Sequence, residues 1–381
     1  MRIAYVSADP GIPIWGSKGA SVHVQEMLRA LTRAGHGLTV LTPRVEGTQP
    51  DDLSQVAVLP LPPAPKGEPA MRARQLLAAN AVAQKELQAL TPDMVYERHA
   101  LYAFAAMEWA AQAGIASVLE VNAPLLAEHA THRTLALAAE AEAGVRRAMD
   151  AAGLITAVTE PVAAHARAMG AKDVIVVPNA VDPERFPTSA PLAAAPFTIG
   201  FLGSLKPWHG LPTLVEAFTR VHAARPEARL LIIGDGPERS AIEDALGRAG
   251  LRDSAEFTGL LPASAVPAAL ARLDVGTAPY GATEAFYFSP LKIYEYMAAG
   301  LPVVTSDTGH LPEIVTHGST GLIVPPDDPA ALAAGLMRLA GDAALGRRLG
   351  AAGRARVLTH HTWAGTAAHI LARITTKPTA A

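Results

Sequence analysis

Short apolar runs rich in β-branched residues alternate with amphipathic helical stretches along the whole sequence. The run RIAYVSA (2–8) leads into a predicted helix near Ser21–Ala34, and LTVLTP (38–43) follows it. Parallel strands joined by crossover helices produce this alternation, because each crossover must cover a face of the sheet. The pattern therefore predicts an α/β protein built from doubly wound parallel sheets. With 381 residues, the chain is long enough for two such domains.

The composition changes once, near the middle of the chain. The stretch ERFPTSAPLAAAP (184–196) is rich in proline and small residues, which is typical of a linker. We therefore predict an N-terminal Rossmann-like domain over 1–186, a linker over 187–196 and a C-terminal Rossmann-like domain over 197–360. Segment 45–70 is predicted to be a mobile surface loop. The other predicted strands lie at 94–98, 116–122, 154–159 and 174–179 in the first half and at 197–203, 228–236, 254–260, 273–280, 301–307 and 321–326 in the second.

The charge balance and the lack of cysteine exclude several classes of protein. The sequence has 32 basic and 35 acidic residues and a net charge of −3, so it offers no basic surface for nucleic acid. Without cysteine there are no disulfides and no thiolate catalysis. No histidine or carboxylate cluster has metal-ligand spacing, so no metal or other cofactor is expected. No apolar run is long enough to cross a membrane. We expect a cytoplasmic protein, and peripheral contact with a membrane stays open.

The stretch SPLKIYEYMAAGLPVV (289–304) predicts a buried helix whose amino end carries several functional side chains. Ser289 is a favoured N-cap, and Pro290 suits the first helical position. The free N–H groups of Leu291 and Lys292 then point out of the helix start, where the helix dipole and the Lys292 charge attract an anion such as phosphate. Glu295 shares a face with Lys292 and would accept hydrogen bonds from a ribose diol. This combination indicates a nucleoside diphosphate, although an ordinary helix start with an exposed ion pair gives the same spacing.

Loops that follow predicted strands of the second half are candidates for the same ligand. In FLGSLKPWHG (201–210), Lys206 offers a charge to a diphosphate and His209 a hydrogen-bond donor, with Ser204 beside them. The alternative for His209 is a histidine packed beside Trp208 at a helix start. Glycines in GDGPER permit close backbone approach, although Gly-Asp-Gly is also a simple turn. The remaining candidates are Gly234, Asp235 and Gly236 of that loop, and Leu260, whose backbone would meet a base edge.

The first half contributes a glycine loop and one strand-end residue. The loop WGSKGAS (15–21) opens a helix and forms a second candidate anion nest through Gly16 and Gly19. It lacks the GxGxxG spacing, so a standard dinucleotide site is not supported. Lys18 would bind either the acceptor or a phosphate of the donor. The alternative is that it is simply a solvated side chain. Asn122 ends ASVLEVN, where a residue of the catalytic edge would lie.

Other polar residues of the first half favour structural interpretations. Glu97 and Arg98 are predicted to form a buried ion pair, and Glu120 to have a structural role within its strand. The structural interpretation is also favoured for His23, His36 and His310.

Seven stretches together resemble the retaining GT-B glycosyltransferases of family 4. They follow one another in the family's usual order across nearly the whole second half, and that combination is far more specific than any single motif. The first half resembles the family more loosely, through its glycine loop and AGHGLTVLTP (34–43). The seven stretches are VVPNAVDPERF (176–186), GSLKPWHG (203–210), LLIIGDGPER (230–239), EFTGLLP (256–262), DVGTAPY (274–280), SPLKIYEYMAAGLPVVTSDTG (289–309) and GLIVPPDD (321–328).

The resemblance implies a GT-B fold, in which two Rossmann-like domains face each other across a cleft. It implies a nucleotide-sugar donor bound mainly by the second domain, an acceptor held by the first, and metal-independent transfer with retention of anomeric configuration. The last helix, about 361–377, would pack back onto the first domain. In such enzymes the helix head binds the diphosphate and the glutamate at the position of Glu295 binds ribose. Together with the candidates argued above, the predicted catalytic residues are Asn122, Lys206 and Lys292; the predicted acceptor-binding residues are Lys18, Gly19 and Asn122; the predicted donor-binding residues are Gly16, Ser204, Lys206, His209, Gly234, Asp235, Gly236, Leu260, Tyr287, Ser289, Pro290, Leu291, Lys292 and Glu295.

This chain departs from the family pattern at four positions. The family motif pairs two glutamates separated by seven residues, and here Tyr287 stands where the first is expected. Ser204 and His209 match the usual arginine and lysine of the phosphate loop, with Lys206 as a compensating charge. Asn122 stands where many members place a histidine; a neutral amide positions a hydroxyl rather than acting as a strong base. These departures leave the identity of the donor sugar open.

Three functions are consistent with the sequence. The first is a glycosyltransferase, which takes a nucleotide-sugar donor and an acceptor such as a saccharide, a lipid-linked glycan or a small metabolite. The second is a sugar-nucleotide epimerase of the same fold, which needs no acceptor. The third is a non-catalytic sugar-nucleotide binder, suggested by Tyr287 and Ser204. None of them requires nucleic acid as a partner.

Overall fold

The computed structural model describes residues 1–64, 67–132, 134–187, 196–282, 286–287 and 289–375. Over these residues the chain forms two parallel β-sheets, one after the other in sequence, each covered by apolar clusters on both faces. Of the predicted linker over 187–196, only the first and last residues lie within the described part of the chain.

The first sheet has seven parallel strands among the described residues, in the order β3-β2-β1-β4-β5-β6-β7. Strand order reverses beside β1, which is the mark of a doubly wound sheet. The surface loop predicted for all of 45–70 was wrong, because residues 57–60 form β3 and pair in parallel with 39–42 of β2. The strands are β1 Arg2–Ser7, β2 Gly37–Thr42, β3 Ala57–Pro60, β4 Met94–Arg98, β5 Ala116–Val121, β6 Leu154–Ala157 and β7 Val174–Val176.

The second sheet has six parallel strands in the described residues, in the order β10-β9-β8-β11-β12-β13. All six strands predicted for this half are confirmed. In β9, the side chains of residues 230–233 are all buried, since a doubly covered strand is apolar throughout rather than alternating. Each such side chain stabilises the fold by about 1.5–3 kcal/mol. The strands are β8 Thr198–Leu202, β9 Arg229–Ile233, β10 Ala255–Gly259, β11 Val275–Ala278, β12 Val303–Ser306 and β13 Leu322–Val324.

Most crossover connections between the strands contain α-helices, whereas the connection from β2 to β3 contains only a short 3-10 helix, Asp51–Leu53. No helix among the described residues is both long enough and apolar enough to cross a membrane. The helices are α1 Gly19–Arg33, α2 Pro69–Leu90, α3 Ala105–Ala113, α4 Leu125–His132, α5 Ala138–Ala151, α6 Glu160–Ala168, α7 Leu211–Ala224, α8 Arg239–Arg248, α9 Val266–Leu270, α10 Leu291–Ala298, α11 Leu311–Ile314, α12 Pro329–Gly341, α13 Ala343–His360 and α14 Trp363–Thr375.

The last helix returns to the first sheet. Trp363, Ala367 and Ile370 of α14 are buried in the same apolar cluster as Tyr5 of β1 and Leu28 of α1. The chain is also tied there through its backbone, because the N–H of residue 181 donates to the carbonyl of residue 361 at 2.9 Å. The end of the chain therefore packs on the half of the molecule in which it began.

The carboxyl ends of strands from both sheets meet along a cleft. Gly19, at the start of α1, lies against Leu291 at the start of α10; a β-carbon added to Gly19 would be 3.8 Å from Leu291 Cδ1. Tyr287 donates a hydrogen bond from its hydroxyl to Glu128 Oε2 of α4 at 3.1 Å. Ligands of doubly wound folds bind at the carboxyl ends of the strands, so this cleft is where a functional site is expected.

Candidate active site

The amino end of α10 is buried at the centre of the cleft, but it is built differently from the sequence prediction. The helix begins at Leu291, so Pro290 precedes it with φ −76° and ψ 111°, and Ser289 is not its N-cap. Ser289 Oγ instead accepts a hydrogen bond from the backbone N–H of Asn179 at 3.1 Å. The prediction of a serine cap and a proline at the first helical position was therefore wrong by one residue. This start favours a ligand, because Pro290 at the N-cap position has no side chain that could cap the first N–H groups of the helix.

Lys292 is a buried basic residue that forms no ion pair with the described residues. Its side chain is 7% exposed, and among the described residues its Nζ has no hydrogen-bond partner. Nζ lies 3.9 Å from the ring centroid of Phe201 and 5.2 Å from that of Tyr280. It also faces the backbone of Gly203, where an added β-carbon would be 3.2 Å from it. Burying an unpaired charge costs several kcal/mol, so this position suits a ligand that brings a negative charge.

We expect the burial of Lys292 to make the free energy of unfolding depend on pH. Burial lowers the pKa of its ammonium to about 7 from the ordinary 10.5, although the nearby Glu295 opposes the shift. Between these values the unfolded chain binds more protons than the folded one, so the free energy of unfolding rises with pH. The rise is at most about 1.4 kcal/mol per pH unit. Urea unfolding at several pH values should show the rise in the wild type and not in Lys292→Met. Parallel pH profiles for the two proteins would contradict this assignment.

Glu295, one turn into α10, faces charges from the other side of the cleft. Burial raises its pKa to about 7, the guanidinium of Arg185 lowers it and the carboxylate of Glu26 raises it. Arg185 itself donates to Glu26 Oε1 of α1 at 2.8 Å and to the carbonyl of Ala263 at 2.8 Å. Sequence reasoning missed Arg185 and Glu26, since their pairing joins residues 159 apart in the chain. The carboxyl of Glu295 is thus held where two halves of the molecule meet.

Two strand-to-helix loops of the second half are bonded to each other beneath Lys292. The N–H of Leu205 donates to the carbonyl of Asp235 at 3.0 Å, and the N–H of Glu238 donates to the carbonyl of Leu205 at 3.1 Å. Gly234 has φ +139°, and a β-carbon there would be 2.0 Å from the carbonyl oxygen of Gly203. Only glycine permits this approach. Gly236 lies in the same loop, and its N–H donates to its neighbour Asp235 at Oδ1, 2.8 Å away.

His209 is held in one orientation by its own loop. Nδ1 lies 2.5 Å from the carbonyl oxygen of Ser204, which only accepts, so Nδ1 carries the proton. Burial, with the charges of Lys292 and Lys206, lowers the pKa of His209 to about 3. In the neutral ring Nε2 therefore carries a lone pair. The predicted donation from His209 to a diphosphate then requires that the ring first take up a proton.

The other predicted donor-side residues lie around these loops. Lys206 precedes the short turn that carries His209, and its Nζ is 5.8 Å from the ring centroid of Trp208. Leu260 follows β10 with its side chain 57% exposed, so it is available to a flat ligand.

The glycine loop of the first half approaches the same point. The carbonyl of Gly16 accepts from the Gln25 side chain at 2.9 Å, which fixes the loop before α1. Lys18 is exposed and occupies the N-cap position of α1 in extended conformation, with no side-chain cap. The amino ends of α1 and α10 therefore converge, through Gly19 and Leu291, on one region of the cleft.

Tyr287 connects the segment before α10 to the first half. Besides the bond of its hydroxyl to Glu128, its carbonyl accepts from Thr159 Oγ1 at 3.2 Å. Its ring packs on the apolar cluster of the first sheet. The position at which the family pattern expects a glutamate thus holds a residue that contacts the opposite side of the cleft.

Asn122 is positioned by a buried network whose centre is Glu120. Asn122 Nδ2 donates to Glu120 Oε1 at 2.5 Å, and Arg98 Nη1 donates to the same oxygen at 2.7 Å. The hydroxyl of Tyr96 donates to Oε2 at 2.6 Å, and His23 Nε2 lies 2.8 Å from Oε1. Burial alone would raise the pKa of Glu120, but His23, Arg98 and Tyr96 together hold it well below its usual range. The structural role predicted for Glu120 agrees with this network.

The predicted ion pair between Glu97 and Arg98 was wrong. Arg98 pairs with Glu120 instead. Glu97 is 1% exposed, and its Oε2 has no hydrogen-bond partner among the described residues. Successive residues of a strand point to opposite faces of the sheet, so a pair at adjacent positions of β4 could not form.

Comparisons with known proteins agree with this geometry. A family profile described as Glycosyltransferase Family 4 matches residues 17–185, and one described as Glycosyl transferases group 1 matches residues 196–342. An exopolysaccharide phosphotransferase of Streptomyces coelicolor is 35% identical over 204 residues, which are 53% of this chain but only 21% of that protein. Glycogen synthase of Mycobacterium tuberculosis is 26% identical over 388 residues, covering 95% of this chain and 92% of its own length.

A solved structure shows the same fold over the full length. HepE of Anabaena, in complex with UDP-glucose, is similar with a TM-score of 0.72 at 18% identity, covering 99% of this chain and 100% of its own. The two profiles together match most of the chain, one in each half, and in both the matched residues include parts of the cleft. This chain is therefore a glycosyltransferase of family 4, in glycosyl transferases group 1, with the GT-B fold.

Proposed function

We propose that this protein transfers a sugar from a nucleoside-diphosphate sugar to an acceptor hydroxyl, with retention of anomeric configuration and without a metal ion. The observation that carries the proposal is the buried ammonium of Lys292, which has no hydrogen-bond partner among the described residues and lies at the amino end of α10, where the N-cap Pro290 offers no capping side chain. A diphosphate supplies the missing negative charge. The Anabaena neighbour, whose structure contains UDP-glucose, supports a nucleotide sugar as the donor.

The residues of the helix head act on the leaving group. As the glycosidic bond breaks, negative charge develops on the diphosphate, and the N–H groups at Leu291 and Lys292 together with the Lys292 and Lys206 ammonium groups stabilise it. Glu295 accepts hydrogen bonds from the ribose diol, for which its carboxyl must be ionised. This arrangement supplies positive charge from the protein itself. The described residues contain no group of three or more histidine, aspartate or glutamate side chains placed to hold a metal ion.

Asn122 orients the acceptor hydroxyl. Its Nδ2 donates to Glu120, so its Oδ1 is free to accept a hydrogen bond from the attacking hydroxyl. A neutral amide is too weak a base to take the proton, which passes to the departing diphosphate oxygen on the same face of the sugar. Attack and departure on one face retain the configuration of the anomeric carbon.

A thermal-shift panel of nucleoside diphosphates and nucleotide sugars tests the proposal. A ligand of the folded state at 100 times its Kd raises the free energy of unfolding by about 2.7 kcal/mol. We expect the nucleotides that carry one particular nucleobase to stabilise the wild type by this amount in the presence of EDTA. Lys292→Met should lose this stabilisation. The anomer formed from that donor with an acceptor is then read by NMR. No shift with any nucleotide, a shift abolished by EDTA, or an inverted product would each contradict the corresponding part of the proposal.

A further inference from the structure

A second pocket lies in the first half, at the carboxyl edge of its sheet. Its volume is about 280 Å³, close to the lower end of the range of small-molecule sites. Asp9 follows β1, Leu101 follows β4, Leu125 lies in α4 and Arg72 in α2. Ligands of doubly wound sheets bind at this edge, and no residue predicted from the sequence lines the pocket.

Arg72 is a charged residue of this pocket whose side chain has no partner in the described part of the chain. Its guanidinium is partly buried and makes no hydrogen bond or ion pair with the described residues, whereas Asp9 Oδ1 accepts from the N–H of Gly11 at 2.7 Å. The amino end of α2 is already capped, since the Glu68 carboxylate accepts from the N–H groups of Ala70 and Met71 at 2.9 and 2.8 Å. A ligand anion would therefore meet the guanidinium rather than the helix end.

The rest of the wall determines what kind of anion fits. Ala73, Leu76, Leu101 and Leu125 give the pocket an apolar side. Excluding water there strengthens an interaction between charges, and a guanidinium binds the oxygens of a phosphate through two parallel hydrogen bonds.

A smaller cavity adjoins this pocket, and Leu76 and Leu101 line both. It contains the Glu97 carboxyl, whose buried Oε2 has no hydrogen-bond partner among the described residues. Burial raises the pKa of Glu97 to about 8, so at neutral pH it is a carboxylic acid. That group donates and accepts hydrogen bonds without repelling an anion. The cavity has a volume of only about 20 Å³, so the space beside Glu97 suits a single uncharged hydroxyl, whereas Arg72 in the adjoining pocket suits a phosphate.

The pocket is also connected to the donor side of the cleft. Its wall includes Leu125 and His129 of α4, and Glu128 of the same helix accepts the hydrogen bond of Tyr287, shortly before the head of α10. Helix α4 thus contacts both a molecule in the pocket and the segment that leads to the proposed diphosphate site.

We propose that this pocket binds the acceptor and that the acceptor carries a phosphate group, bound by Arg72, together with neutral hydroxyls. This assignment rests on the proposed sugar transfer and names the chemical class of its second substrate. The phosphate belongs either to a soluble sugar or polyol phosphate or to a lipid headgroup, and the two sources are distinguished by experiment.

Arg72→Gln tests the proposal against a matched control, Arg74→Gln, which removes an exposed arginine from the same helix. Soluble probes are glucose 6-phosphate and glycerol 3-phosphate, each compared with its phosphate-free parent by calorimetry. Lipid probes are phosphatidylglycerol vesicles, compared by co-sedimentation with vesicles of digalactosyldiacylglycerol, a bilayer lipid whose headgroup has hydroxyls and no phosphate. We expect the wild type and Arg74→Gln to bind phosphate-bearing probes of one arm at least tenfold more tightly than the controls. Arg72→Gln should lose that preference.

Nucleotide affinity is measured in parallel on all three proteins and should be the same, because Arg72 lies outside the donor site. The proposal is overturned if neither arm shows a phosphate preference, or if Arg72→Gln and Arg74→Gln lose it equally. Loss of nucleotide binding in every protein would instead contradict the proposed donor site. The binding experiments with phosphate-bearing probes do not depend on the result of the nucleotide measurement.

Discussion

Replacing Lys292 with methionine is expected to slow sugar transfer by about 100- to 1000-fold, the usual effect of removing one preorganised group that stabilises charge in the transition state. The fold should tolerate the change, because methionine keeps the buried length of the side chain and removes an unpaired charge from the core. The measurement is the initial rate of nucleoside-diphosphate release from the donor selected by the thermal-shift panel, with the denaturation midpoint recorded for the same preparation.

Lys85→Met is the control for that experiment, since Lys85 is exposed on α2. It should transfer sugar at the wild-type rate. Glu295→Ala should also lose activity, chiefly through weaker donor binding. Near-normal rates in both Lys292→Met and Glu295→Ala would show that the head of α10 is not the donor site.

Glu120→Ala is expected to lower the free energy of unfolding by about 3–5 kcal/mol, because removing one member of a buried charge network leaves the others uncompensated. Arg98 and His23 would lose their common carboxylate, and Tyr96 its acceptor. Urea unfolding measures the change. Asn122 would also lose the bond that orients it, so the rate of transfer by the folded fraction should fall as well.

An exposed ion pair provides the comparison for Glu120. Glu142→Ala breaks a pair with Arg146 whose side chains are 51% and 52% exposed, and such pairs contribute about 0–1 kcal/mol. If Glu120→Ala were no more destabilising than Glu142→Ala, the network around Glu120 would have no organising role.

The sequence predicts the second half well because its structure follows from local patterns. Continuous apolar runs such as residues 230–233 identify strands covered on both faces, and the glycines after them mark loops with special backbone geometry. The head of α10 was placed within one residue. The error arose because a tertiary hydrogen bond from Asn179 engages Ser289, and no local pattern indicates such a partner.

The first half departs from local patterns more often. Strand β3 has four residues and ends in a proline, so it is too short to stand out from the surrounding loop. The predicted ion pair between Glu97 and Arg98 was wrong because adjacent residues of a strand point to opposite faces of the sheet. Arg72 could not have been found from the sequence, because a basic residue in the first turns of an amphipathic helix is usually solvated. Its pocket exists only because α2, α4 and the ends of β1 and β4 meet.

The central claim is that a donor diphosphate binds at the amino end of α10, beside Lys292. A crystal structure of the protein with its nucleotide sugar bound tests this most directly. We expect phosphate oxygens within hydrogen-bond distance of Lys292 Nζ and of the first backbone N–H groups of the helix, with the ribose hydroxyls on Glu295. A nucleotide bound elsewhere, with Lys292 still buried against Phe201 and out of reach of the ligand, would contradict the account.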